Sequence, residues 1–187
     1  MKKMKEFRKI SVIGLGLIAS SICLTLRQKD PTIKLLGYDK DKAVRNRAKK
    51  IGLCKVESNL DNAVSGSQLI ILCVPVGQMQ AVTQRLKKII EPGTTITDVG
   101  SVKLSVIAEI ESNIESVGGK YVPSHPIAGT ERSGPDAGYA GLFEGRWCIL
   151  TPTKKTNKKA LNSLESLWKF LGMHTKIMSP EHGDLVR

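Results

Sequence analysis

The stretch Ile10-Ser11-Val12-Ile13-Gly14-Leu15-Gly16-Leu17-Ile18-Ala19-Ser20 decides the fold of this chain. A short apolar run breaks at two glycines and resumes in a helix-like pattern ending near Leu26, so it reads as strand, tight turn and helix start. Gly14 permits the sharp turn. Gly16, without a Cβ, lets a pyrophosphate approach the backbone, and Ala19 is small enough for close helix–strand packing. The N–H groups and dipole at the helix N-terminus then hold the phosphates. Gly14, Leu15, Gly16, Leu17 and Ile18 are thus candidate cofactor residues.

A glycine turn of this kind gains meaning from a second element, and Asp39 supplies it. The run Ile33 to Tyr38 reads as the next strand and ends in an acid twenty residues beyond Ala19, where a carboxylate accepts both ribose hydroxyls of an adenosine. An acid there repels the 2′-phosphate of NADP and favours NAD; Lys40, Lys42 and Arg45 close by weaken that preference. The five basic residues of Met1 to Lys9, followed by an apolar run, also resemble a secretory leader. Because a strand ending in the required acid follows at once and no Ala-x-Ala site precedes Arg27, residues 1–9 are instead expected to be a solvated, partly disordered basic tail.

Outward from this unit, strands alternate with helices. Helices are expected over Asp41 to Lys50, Ser58 to Ala63, Gln78 to Ile90 and Leu104 to Ile114. Gln68 to Pro75 reads as a central strand buried on both faces, Thr94 to Val99 as the next strand, and Lys120 to Val122 as a short one. The expected fold is α/β, a Rossmann-type doubly wound, mostly parallel sheet with helices on both faces. Strand C-terminal ends border the ligand in such sheets, so Cys73, Val74 and Pro75 are expected beside the cofactor. Ser124 to Gly145 is rich in Gly, Pro and Ser and too long for an ordinary connection, which marks it as a functional loop. Trp147 to Leu150 reads as a strand, Asn157 to Leu171 as a helix and His174 to Met178 as a last strand; Ser179-Pro180-Glu181 starts a further helix.

Composition narrows the function classes. With 187 residues, 41 % of them hydrophobic, the chain can bury one sizeable core. After the first unit no window is apolar for long enough to cross a bilayer, so no membrane association is expected. Cys23, Cys54, Cys73 and Cys148 stand apart from one another and from metal-spaced histidines, so no metal site is expected and a reducing cytoplasm is. Twenty-nine Lys and Arg against seventeen Asp and Glu give +12, a field that attracts anions. Only 4 % of residues are aromatic and no nucleic-acid signature is present, so an anionic cofactor and small anionic substrate fit better than specific nucleic acid.

Of the three histidines, His125 stands out. Two prolines and nearby glycines fix its loop without packing it into the core, and an imidazole there can take a proton near neutral pH. Ser101 follows a buried strand and an Asp-Val-Gly turn, which puts it at the cofactor edge of the sheet, where it can also cap a helix. His174, at the start of the last strand, is read as structural.

Taken together, Gly14-Leu15-Gly16-Leu17-Ile18-Ala19, Asp98-Val99-Gly100-Ser101-Val102-Lys103, Ser124-His125-Pro126-Ile127-Ala128-Gly129-Thr130-Glu131-Arg132-Ser133-Gly134 and Met178-Ser179-Pro180-Glu181 resemble the prephenate/arogenate dehydrogenase family from about Ile10 to Val186. The resemblance implies oxidative decarboxylation of prephenate or arogenate with NAD in tyrosine biosynthesis. It implies that His125 accepts the proton of the substrate's ring hydroxyl, that Ser101 steadies this histidine near the nicotinamide, and that Thr130, Glu131 and Ser179 lie at the substrate.

The family continues into a helical domain that supplies dimer contacts and an arginine for the substrate carboxylate. Residues 10–178 are therefore expected to be the dinucleotide-binding domain and 179–187 the start of an inter-domain helix cut off at Arg187, leaving a monomer or a partner-dependent chain. Where the family usually has a His-Asp pair after Met-Ser-Pro-Glu, this sequence has Gly183 before Asp184, with His182 one place earlier, about 100 degrees around a helix. The alternatives are a catalytically incompetent NAD-binding fragment of the same family and a related β-hydroxyacid or imine-type dehydrogenase.

Overall fold

Hydrophobic residues one apart along the strands go to opposite faces of the sheet, and the two faces collect different helices. In a computed structural model that describes residues 2–101 and 104–183, Val12 and Ile71 join one buried cluster while their neighbours Ile13, Ile70 and Leu72 join the other. The strands β1 (Lys9–Ile13), β2 (Lys34–Tyr38), β3 (Lys55–Val56), β4 (Leu69–Leu72), β5 (Thr95–Asp98) and β6 (Lys120–Val122) form one parallel sheet in the order β3-β2-β1-β4-β5-β6. Every residue of β4 is fully buried, as expected of a strand covered on both faces. The doubly wound architecture read from the sequence is the architecture found.

The helices begin where the sequence offers a cap or a glycine. Helix α1 (Leu17–Lys29) starts at Gly16, which offers no capping side chain. Asp41, Asn59 and Asn157 accept hydrogen bonds from the first turns of α2 (Lys42–Lys50), α3 (Leu60–Val64) and α6 (Lys158–Phe170), satisfying N–H groups that a helix start otherwise leaves unpaired. Helix α4 spans Val76–Leu86 rather than the expected Gln78 to Ile90. Pro75, with φ fixed near −54°, already leads into it, and its far end tightens into three-residue turns, Lys88 N–H to Arg85 O and Ile89 N–H to Leu86 O. Helix α5 covers Leu104–Glu115. Val102 and Lys103 of the Asp-Val-Gly turn lie outside the described residues.

Two expectations are corrected here. The N-terminal segment is not a wholly solvated tail: Met4 and Phe7 are buried, the Arg8 guanidinium meets Asp30 at 2.7 Å, and the Met4 N–H donates to the same carboxylate. Its basic residues hid two apolar anchors. The loop expected from Ser124 to Gly145 opens as a strand, β7 (Ser124–Pro126), and contains a 3₁₀ turn at Pro135–Ala137. β7 pairs antiparallel with β8 (Trp147–Leu150), which pairs parallel with β9 (His174–Ile177), giving a separate three-stranded sheet. A Ser-His-Pro strand is legitimate because β7 is an edge, where proline's missing N–H removes no ladder bond.

Helix α6 packs the second sheet onto the first. Trp168 is fully buried, meets Phe143 edge to face at 6.1 Å between ring centroids, and donates its indole N–H to Ser124 Oγ at 3.2 Å. A final turn of helix, α7, spans Pro180–Gly183; residues 184–187, including Asp184, lie outside the described residues.

Candidate functional site

The strand order reverses between β1 and β4, and a crevice opens at the C-terminal ends of strands at such a point. Gly14 turns there with φ +91°, and a Cβ on it would stand 2.8 Å from the backbone C and O of Cys73. Only glycine closes this turn against β4. Gly14 N–H donates to Tyr38 O at 2.8 Å, and Leu15 N–H to Asp39 Oδ2 at 2.9 Å. The second oxygen of Asp39 accepts from Asp41 N–H at 2.9 Å. Two backbone donors thus hold the carboxylate at the mouth of the crevice.

Around Gly16 the requirement is different. A Cβ there would meet nothing within 4 Å, and no side chain caps α1. Open space and unpaired N–H groups at the start of a 13-residue helix suit an anionic phosphate. The crevice measures about 470 Å³ and is lined by Gly14, Leu15, Gly16, Asp39, Cys73, Val74 and Pro75, all expected, together with Tyr38, Val44, Gln78, Val82 and Arg85, which were not. Arg45 also bears on it, its guanidinium 5.8 Å from the Tyr38 ring centroid and donating to Asp39 O at 2.8 Å. Helix α4 carries Gln78, Val82 and Arg85, all within the helix expected over Gln78 to Ile90. Leu17 and Ile18 do not line this crevice; their side chains pack against the core, so any part they take is through the backbone at the helix start. The residues present therefore fit a dinucleotide.

His125 sits on β7 opposite Ile149, half-buried, with Nδ1 buried and without a hydrogen-bond partner. Burial lowers its pKa below the ordinary 6.5, with the Val99 carbonyl opposing. Val99 in turn donates its N–H to Leu72 O at 3.2 Å, and Leu72 adjoins Cys73, on which Gly14 closes. Asp98, at the end of β5, is fully buried, accepting from Tyr121 OH at 2.7 Å and Gly100 N–H at 3.1 Å. Desolvation pushes this carboxyl up to about 7. The strand carrying His125 is further pinned by Ser124, whose hydroxyl meets Thr97 Oγ1 at 2.7 Å and the Trp168 indole.

Other expected residues are not brought together. Ser101 is exposed, and among the described residues His125 Nδ1 has no partner, so the steadying contact implied by the resemblance is not present. Thr130 and Glu131 are exposed on the loop after β7, where Thr130 Oγ1 accepts from Arg132 N–H. Ser179 pairs with His182 Nδ1 at 2.6 Å, so the shifted histidine turns onto its own helix start. The loop beyond is tied to α1 and α2: Tyr139 N–H donates to Ser21 Oγ and Thr25 Oγ1 to Ala140 O on α1, and Arg47 of α2 grips Asp136 through Nε and Nη2. Among the described residues no group of three His, Cys, Asp or Glu could hold a metal, and no helix is long and apolar enough to cross a membrane.

Residues 22–177 match the family model described as prephenate dehydrogenase, nucleotide-binding domain. The chain is 39 % identical to the cyclohexadienyl dehydrogenase of Zymomonas mobilis, over 98 % of this chain and 62 % of that protein. It is 35 % identical to the prephenate dehydrogenase of Bacillus subtilis, over 98 % of this chain and 49 % of that one. A crystal structure of prephenate dehydrogenase from A. aeolicus in complex with hydroxyphenyl propionate and NAD+ superimposes with a TM-score of 0.88 at 31 % identity, covering 96 % of this chain and 62 % of that one. The chain thus spans between about half and three fifths of the length of these relatives.

Proposed function

This chain belongs to the prephenate dehydrogenase family, matching its nucleotide-binding domain, and from that premise we propose that it binds NAD and takes part in the oxidative decarboxylation of prephenate or arogenate. The observation that carries the reading is His125, half-buried on β7 with burial holding its pKa below the ordinary imidazole value. Gly14, Leu15, Gly16 and Asp39, with Cys73, Val74 and Pro75 opposite, hold the dinucleotide; the start of α1 takes the pyrophosphate and Asp39 the adenosine ribose. NAD, when bound, supplies the acceptor for the hydride that leaves the substrate's carbinol carbon.

His125 takes the proton of the ring hydroxyl on that same carbon, and a neutral imidazole is the form able to do so. Carbon dioxide leaves from the opposite ring carbon as the ring becomes aromatic. Ser101, at the end of the β5 turn, orients the imidazole once substrate and cofactor are in place. Thr130, Glu131 and Ser179 frame the substrate from the β7 loop and the start of α7, in a chain whose residues 10–178 form the dinucleotide domain. Four free thiols accord with a cytoplasmic setting.

Titration of the chain with NAD, followed by prephenate or arogenate while NADH absorbance is recorded, tests this. Saturable NAD binding and NADH formation that disappears in His125→Asn is the expected result. NAD binding without turnover by any acid of this class would select the incompetent-fragment reading, and absence of NAD binding would remove both.

A further inference from the structure

Two of the four free thiols meet behind the nucleotide turn. Cys23 stands in the middle of α1, fully buried, and Cys54 in the bend between α2 and β3, half-buried; their side chains are hydrogen-bonded to each other. The fold makes room for the pair at Gly37 of β2. A Cβ there would stand 2.6 Å from Cys54 Sγ and 3.0 Å from Leu15 Cδ2, so the sulfur and Leu15 share the hollow that the missing side chain leaves. Leu15 is the residue whose N–H holds the Asp39 carboxylate.

Arg27 completes the group. It follows Cys23 by one turn on the same face of α1, and its guanidinium donates to the carbonyl of Gly52, two residues before Cys54. The Cys23 hydrogen bond chiefly, and the Arg27 charge after it, hold the Cys54 pKa below the ordinary thiol value against the opposing effect of burial. Cys23 shifts the other way, because its hydrogen bond to Cys54 and its burial both keep the proton on it. A partly exposed thiol disposed to ionise beside a buried one within reach is the pairing of an attacking and a resolving cysteine.

We infer that Cys54 is a site of oxidation by hydroperoxides, closed by Cys23 into a disulfide that weakens the hold of the nucleotide turn on its dinucleotide. The Cys54 thiolate takes one oxygen of the peroxide as the O–O bond breaks. Its sulfur becomes a sulfenic acid, and the hydroxide released collects the proton that Cys54 gave up. The Cys23 sulfur then forms the S–S bond, and the sulfenic hydroxyl leaves with the Cys23 proton as a second water. The two thiols together lose two electrons, and the peroxide is reduced to water. A covalent bond draws the sulfurs closer than their hydrogen bond does, so α1 or the Cys54 bend must move, and Leu15 moves with the hollow it shares. The effect on NAD rests on the dinucleotide reading above; the disulfide itself does not.

The test treats the reduced full chain with hydrogen peroxide and follows thiols, peptide masses and NAD affinity. Two of the four thiols should be lost, a Cys23–Cys54 cross-linked peptide about 2 Da lighter than its parts should appear, and a dithiol reductant should reverse both. Cys54→Ser should keep its remaining thiols, and Cys23→Ser should stop at a sulfenic acid on Cys54 that a cyclic diketone traps. Arg27→Gln should slow the loss. Oxidation should weaken NAD binding at least about fivefold, with recovery on reduction and no change in peroxide-treated Cys54→Ser. A cross-link through Cys73 or Cys148, thiol loss that persists in Cys54→Ser, or no cross-link at all overturns the proposal. A Cys23–Cys54 cross-link that leaves NAD affinity unchanged overturns the coupling to the turn. Failure of the reduced chain to bind NAD overturns the dinucleotide reading instead, while the cross-link still decides the thiol chemistry.

Discussion

The Tyr121 hydroxyl donates to Asp98 Oδ1 at 2.7 Å in a pair fully closed to solvent. Asp98 also takes the Gly100 N–H, so an acid whose carboxyl is pushed up to about 7 supports the turn that leads to Ser101. In the unfolded chain the same group titrates near 3.9. Its neutral form therefore favours the folded state; the contribution is complete below about pH 4 and is lost as pH rises through 7. Denaturant unfolding of wild type and Asp98→Asn between pH 4 and 8 should show the wild type losing stability relative to the variant by on the order of 4 kcal/mol. Parallel curves would refute the assignment.

The two glycines of the turn should respond differently to alanine. At Gly14 a Cβ meets the Cys73 backbone at 2.8 Å and φ is +91°, so Gly14→Ala should cost roughly 1–3 kcal/mol or more of stability. At Gly16 nothing lies within 4 Å. Gly16→Ala should unfold at nearly the wild-type denaturant concentration and yet bind NAD more weakly, because its methyl occupies the space intended for phosphate.

His125→Asn should lower turnover by roughly 10²- to 10⁴-fold and leave NAD affinity in place. The wild-type rate should also hold as pH falls to the ordinary imidazole value, declining only on the acidic side of 6.5, since burial lowers this pKa and the base works when unprotonated. A rate that already falls between pH 8 and 7 would show that another group governs it.

Asp39→Asn keeps the shape of the side chain but loses the charge that Leu15 and Asp41 amides hold in place. NAD should bind about tenfold more weakly, and the discrimination against NADP should narrow, with Arg45 and Lys40 already near the ribose position. Competitive titration of the two nucleotides measures both effects.

The first sheet was legible because its signals are local and periodic. Apolar runs of strand length, each closed by glycine, proline or an acid, specify β1, β2 and β4 directly, and Asp41 and Asn157 announce their helices as caps. β3 was invisible: two residues, Lys55 and Val56, carry no period. β7 was hidden for another reason, since Ser-His-Pro reads as a turn until β8 is known to lie beside it; its strand character comes from a partner more than twenty residues away. Likewise Asp39, Gly14 and His125 could be chosen from residue type and position, whereas Tyr38, Gln78 and Arg85 enter the crevice only because of how α4 and β2 are packed.

One residue, Pro123, separates β6 from β7, and this sets a rule of parity. Ser124 points inward to Thr97 and Trp168 while its neighbour His125 points to the opposite side. Adding a single residue after Pro123 would exchange odd for even along the strand, driving the imidazole against the indole and leaving a serine hydroxyl where the base belongs. The spacer's length, as much as the histidine itself, is what a working copy of this domain must keep.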